Sequence, residues 1–239
     1  MIDPASGAFV AALARAGGFA FTAPLLGEPT TPVRARLVFT VAVAAAVASA
    51  APARDPADAV ALVPLELAAG MLAGVSARLI LDRVAAGAQL IGIHLGLGFA
   101  AEYDVRAGES ASSMRRLVSA LAGLAFLAAG GLEAGVRCVA TPLAATDLHH
   151  LTGAVDLATS LMSHALAFAA PALVAATILN LGLAVINRAA PALNVFSVSL
   201  AAVMIGGGLV LLAVAPSTAR LIDAHARAAV DLLAGWSTR

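Results

Sequence analysis

Residues 161–186, LMSHALAFAAPALVAATILNLGLAVI, contain no charged side chain. A helix that crosses the hydrocarbon core of a bilayer needs about 20 such residues. In lipid, only a helix satisfies its backbone hydrogen bonds within one segment. The stretch is continuous and rich in Ala and Leu, so it lacks the alternating pattern of roughly ten-residue strands in a membrane barrel. It reads as a membrane helix. Beyond Asn187-Arg188 and the Pro191–Asn194 turn stands a second uncharged run, Val195 to Ala215. After it, Pro216 to Arg239 combines apolar Leu221, Ile222, Val230, Leu232 and Leu233 with Arg220, Asp223, Arg227 and Asp231. That mixture predicts an amphipathic helix outside the apolar layer.

The same grammar extends towards the N-terminus. A first helix is expected from about Ala5 to Leu26, interrupted only by Arg15, followed by a Pro/Gly loop from Gly27 to Arg36. Met1 to Ser6 lacks the basic start of a secretory signal, so this helix is read as retained. Leu37–Ala51 is a short second run, and Pro52–Ala59 a polar turn. Val60–Leu81 and Val84–Ala101 follow, separated by Asp82-Arg83, and Glu102–Arg116 is the most polar region. Leu117 to about Ala145 is too long for one straight span, and Gly130-Gly131 marks a break into two half-helices. A loop from Thr146 to Thr159 completes an all-α, polytopic chain of about six to seven apolar segments, taken as one membrane domain over 1–239.

Composition agrees. The 239 residues are 61% hydrophobic and only 12% charged, with a mean hydropathy of +0.96. A soluble domain carries about 25% charge, so half the usual charge cannot cover a water-exposed globule. Disorder is excluded too, because it needs low hydrophobicity and high net charge. Fourteen basic residues, all Arg, balance fourteen acidic ones, which leaves no global field for nucleic acid. The lone Cys138 permits no internal disulfide and reads as a small buried hydrophobe. Counting Arg on alternate sides of a seven-segment serpentine does not fix the orientation.

Two kinds of packing signal recur. Gly70/Gly74, Gly92/Gly96 and Gly131/Gly135 are small-residue pairs four apart, a spacing that lets helices approach closely in lipid. Charges also persist inside apolar runs, at about 2.5–3.5 kcal/mol each on insertion scales: Arg15, Glu66, Arg78, Glu133 and Arg137. Glu133–Arg137 and Arg78–Asp82 have the spacing of helical ion pairs. Either these groups pair structurally, or they face a polar conduit or a partner subunit. Arg15 and Glu66 have no neighbour of opposite charge in sequence, and so need a partner from elsewhere.

Catalytic constellations are not evident. His149-His150 with Asp147 and Asp156 lack the i, i+4 spacing of a helical metal site. Gly74-Val75-Ser76-Ala77-Arg78 lacks the second glycine of a nucleophile elbow, and nothing in sequence pairs it with His94 or His164. The readings left open are a non-enzymatic assembly subunit, a stand-alone small-molecule transporter and an intramembrane enzyme. A transporter predicts internal repeats with broken spans at matching places, and the two halves show no such similarity.

Across almost its whole length the chain resembles the FliR family, the flagellar export-gate component with injectisome counterparts of the SctT/SpaR type. The resemblance runs through Ala23-Pro24-Leu25-Leu26-Gly27, Pro32-Val33-Arg34-Ala35-Arg36-Leu37, Glu66–Gly70 with Gly74, and Ile91–Ala100 followed by Asp104. It is strongest at Asn180–Leu183, Arg188 and Ala190-Pro191-Ala192-Leu193-Asn194-Val195-Phe196-Ser197-Val198. Val105, His94 and Ala201 depart from the pattern, and Gly130-Gly131-Leu132-Glu133 stands closer to the injectisome relatives.

The resemblance implies bent helical hairpins that assemble with FliP-like and FliQ-like subunits and an FlhB-like protein. The complex would form a pore for unfolded export substrates across the bacterial inner membrane, in a flagellar basal body or injectisome base. It implies no enzymatic activity and no cofactor. It also places a pore plug at about residues 96–113, with Gly96, Gly98, Phe99, Tyr103, Asp104 and Gly108 as its gate candidates.

Overall fold

A computed structural model describes residues 4–52, 54–95, 113–141, 148–189 and 195–237. The described residues form eight helices and no strand. These are α1 (Pro4–Thr22), α2 (Val33–Ala50), α3 (Pro56–His94), α4 (Ser113–Ala128), α5 (Gly131–Ala140), α6 (Leu148–Thr159), α7 (Leu161–Ala189) and α8 (Val195–Ser237). The all-α membrane architecture expected from the sequence is therefore present.

The number of spans is smaller than the six to seven segments suggest. Among the described residues, four helices are long and apolar enough to cross a membrane: α2, α3, α7 and α8. The bent pair α4–α5 makes a fifth if counted as one span. Two expected boundaries do not interrupt the backbone. Asp82-Arg83 lies inside α3, 39 residues long, because charged side chains are compatible with helix. Pro216 lies inside α8, 43 residues long, so the C-terminal tail is not a separate helix but the continuation of the preceding run. At 1.5 Å per residue these helices measure about 58 Å and 64 Å. Each is about twice the thickness of a hydrocarbon core.

Local chemistry explains the observed ends. Proline opens α3 at the position where its missing N–H is harmless. Asp55 caps that turn, its Oδ1 accepting the Ala57 N–H at 3.0 Å. Pro32, at φ −59° and ψ 136°, precedes α2. The predicted break at Gly130-Gly131 is present: α4 and α5 meet at 65°. Gly130 adopts φ +89°, which a side chain would strain.

The chain divides into two compact units. The first comprises Met1–Leu81, Gly123–Thr159 and Ala226–Arg239. In it α1 packs along α2, and both meet α5. Phe19 is buried to 2% exposure, and its ring lies where a Cβ on Gly135 would sit. His150 stacks on Trp236, ring centroids 3.9 Å apart. The second unit comprises Asp82–Ala122 and Ser160–His225. There Gly87 meets Phe168, Gly206 meets Leu179 and Gly207 meets Leu95. Arg83 donates to the Ser160 hydroxyl at 2.8 Å.

Candidate functional site

Among the described residues, the densest polar feature is a buried cluster where α1 crosses α3. The crossing is close because glycines line it. A Cβ on Gly18 would strike the Leu67 carbonyl, one on Gly70 the Arg15 carbonyl, and one on Gly74 the Thr22 hydroxyl. Two helices in backbone contact bring Arg15 and Glu66 together, both 7% exposed. One guanidinium nitrogen of Arg15 donates to Glu66 Oε2. The other donates to the carbonyls of Val139, at 3.3 Å, and of Thr141 at the end of α5. Arg54 completes the cluster, its guanidinium 3.2 Å from Glu66 Oε1.

Two guanidiniums thus face one carboxylate. The second positive charge is compensated by the α5 carbonyls, which carry the partial negative charge of a helix C-terminus. Arg15 and Glu66 supply each other, 51 positions apart in sequence. Their lack of sequence neighbours is therefore no argument for a partner from another chain. Arg54 is the residue that sequence reasoning missed, since nothing in a polar turn marks which Arg will reach back to a helix.

A second polar node ties the α1–α2 turn. Thr31 Oγ1 donates to the Leu25 carbonyl at 2.6 Å, and the Gly27 N–H to the Ala23 carbonyl at 2.8 Å. Leu25 adopts φ +65°, left-handed and uncommon for a branched side chain. Arg36 donates to the Glu28 carbonyl and lies over the Phe21 ring, 5.6 Å from its centroid. Arg78 reaches the Gly27 carbonyl at 3.4 Å and Glu28 Oε1 at 3.6 Å. Pro24 and Pro32 bracket this turn, whereas Arg34 is exposed.

Glu133 and Arg137 form their expected pair at 2.7 Å, but on an open face, with side chains 68% and 71% exposed. Arg188 is exposed in the last turn of α7. Phe196 lies in the first turn of α8. Gly96, Gly98, Phe99, Tyr103, Asp104, Gly108, Pro191 and Asn194 lie outside the described residues. Among the described residues no three His, Cys, Asp or Glu side chains converge as metal ligands. Ser76 is buried with no hydrogen-bond partner, so no base touches its hydroxyl. His94 and His164 each sit against a carbonyl of their own helix turn, at 3.0 and 2.8 Å.

The family described as bacterial export proteins, family 1, matches residues 6–229. The chain belongs to that family. Over 154 residues this export-family protein is 32% identical to the flagellar biosynthetic protein FliR of Aquifex aeolicus (strain VF5). That match takes in 62% of this chain and 59% of the relative, so it spans less than two thirds of the relative's length. The FliR resemblance drawn from the residues is borne out. Its early motif residues are those that build the two polar nodes of this export-family chain. Ala23–Gly27 and Pro32–Leu37 make the pinned turn, and Glu66, Gly70 and Gly74 make the α1–α3 crossing.

Proposed function

We propose that this protein is a non-enzymatic membrane subunit of a type III protein export gate in the bacterial inner membrane. FliP-like and FliQ-like subunits complete it, with an FlhB-like protein at the cytoplasmic side. Together they wall a pore for unfolded export substrates. The observation that carries this reading is the family match along residues 6–229. The flagellar form is favoured over the injectisome form by the likeness to a flagellar FliR.

The helix surfaces support an assembly. The apolar windows of α2, α7 and α8 are only 17%, 17% and 11% buried inside the chain. Leu166, Val174, Ile178, Leu181 and Val185 stand exposed on α7. Lipid and neighbouring subunits are the coverings such faces accept. In this reading Glu133–Arg137 faces a neighbouring subunit or the water of the conduit, because lipid would cost about 2.5–3.5 kcal/mol per charge. In the same reading Phe99 and Tyr103 supply the bulk of the plug.

The test is isolation of the tagged chain from its native membranes. FliP-like and FliQ-like proteins should co-purify in stable proportion. A solitary bundle that binds a small solute overturns the proposal. In the assembled gate, Phe99→Ala with Tyr103→Ala should raise ion leak, and unchanged leak removes these two residues from the plug.

A further inference from the structure

Half-helix α5 is held differently at its two ends. At its start, the 65° bend from α4 passes through Gly130. Gly130 has φ +89° and no atom within 4 Å of where a Cβ would stand. At its finish, the Arg15 guanidinium binds the Val139 and Thr141 carbonyls. The same side chain is anchored from behind by Glu66. The inward face between these ends is Gly131, Ala134, Gly135, Cys138 and Val139. Phe126 fills the space over Gly131 and Phe19 that over Gly135. Along this face the hold is apolar packing, with Val139, Phe19 and Phe126 almost fully buried. At the far end the Arg15 guanidinium adds a directional polar contact to that packing. The outward face bears the exposed Glu133–Arg137 pair, which suits a polar medium whether α5 is seated or lifted.

We infer that Arg15 is a latch and Gly130 a pivot for α5. Freeing the guanidinium from the two carbonyls lets α5 swing about Gly130. The α1–α3 crossing stays packed through Gly18, Gly70 and Gly74, and Glu66 keeps its bond to Arg54. This device belongs to the chain itself and does not depend on the export reading.

Cys138, the only cysteine, is a native reporter, 5% exposed on the inward face of α5. The experiment measures its rate of modification by N-ethylmaleimide in the purified full-length chain in mild detergent. Arg15→Gln should speed the reaction by about tenfold or more, as local opening exposes the thiol. Arg15→Lys keeps a positive charge facing Glu66 but lacks the fork of donors that reaches a carboxylate and two carbonyls together. It should give a smaller increase. A reporter in the second unit, Val84→Cys with Cys138→Ser, replaces a side chain that is fully buried. Its rate should be the same with Arg15 or Arg15→Gln. Unchanged Cys138 reactivity in both Arg15 variants overturns the latch. Equal acceleration at positions 84 and 138 also overturns it, because Arg15 would then support the whole fold.

Discussion

Helix α7 has the most apolar window of the four candidate spans, at mean hydropathy 2.1, yet only 17% of that window is buried inside the chain. Helix α1 carries a charge in its middle, and it buries that charge alongside Ala16, Phe19 and Ala20. In a water-soluble domain the placement would be reversed. Here hydropathy does not draw helices together, since lipid is as apolar as leucine. Close packing, small residues and hydrogen-bonded polar pairs decide which helix goes inside. α1 is sorted inward by Gly18, Gly70 and Gly74 and by the Arg15–Glu66 pair, whereas α7 has side chains suited to any apolar surrounding.

The sharpest way to break that contrast is Glu66→Ala. It leaves Arg15 buried without its carboxylate and should cost about 3–5 kcal/mol. Thermal unfolding followed by circular dichroism in detergent would show the loss. A cost below 1 kcal/mol would mean that the cluster is wet and the inward sorting of α1 has another cause.

Next in size is a paired glycine test. Gly70→Ala drives a Cβ into the Arg15 carbonyl and should destabilise by about 1–3 kcal/mol, as overpacking does. Gly182→Ala on α7 meets nothing within 4 Å and should stabilise by about 0.5–1 kcal/mol through helix propensity. Opposite signs for one chemical change would sharpen the distinction between the two helices, and equal signs would erase it.

The smallest effect belongs to Glu133→Gln. An exposed i, i+4 ion pair contributes about 0.3–0.5 kcal/mol. The purified chain should barely register the change, and a loss near that of Glu66→Ala would place α5 in a far less polar setting than its exposure indicates.

Much of the architecture was readable in advance. Long uncharged runs announced helices and a membrane, and Gly130-Gly131 marked a bend, although Gly17-Gly18 and Gly206–Gly208 lie inside continuous helices. The residues expected to make helix contacts at Gly70 and Gly74 do so. What misled was treating charge and proline as punctuation. Asp82-Arg83 and Pro216 lie inside continuous helices, the first because charged side chains do not oppose helix. A single proline forfeits only one backbone bond and need not end a helix that is otherwise well supported. The polar nodes were half visible. Arg15 and Glu66 stood out as costly charges, but their pairing could not be read across 51 positions, and Arg54 and Arg36 gave no sign of their reach.

The amino-acid order alone therefore determined the solvent, the class of secondary structure and the family, since each depends on composition or on local runs of residues. Only the tertiary structure decided which charges neutralise each other, which helices are outside, and what holds the end of α5. Those outcomes depend on distances between remote segments, set where glycine lets two backbones touch, and no local pattern encodes such distances.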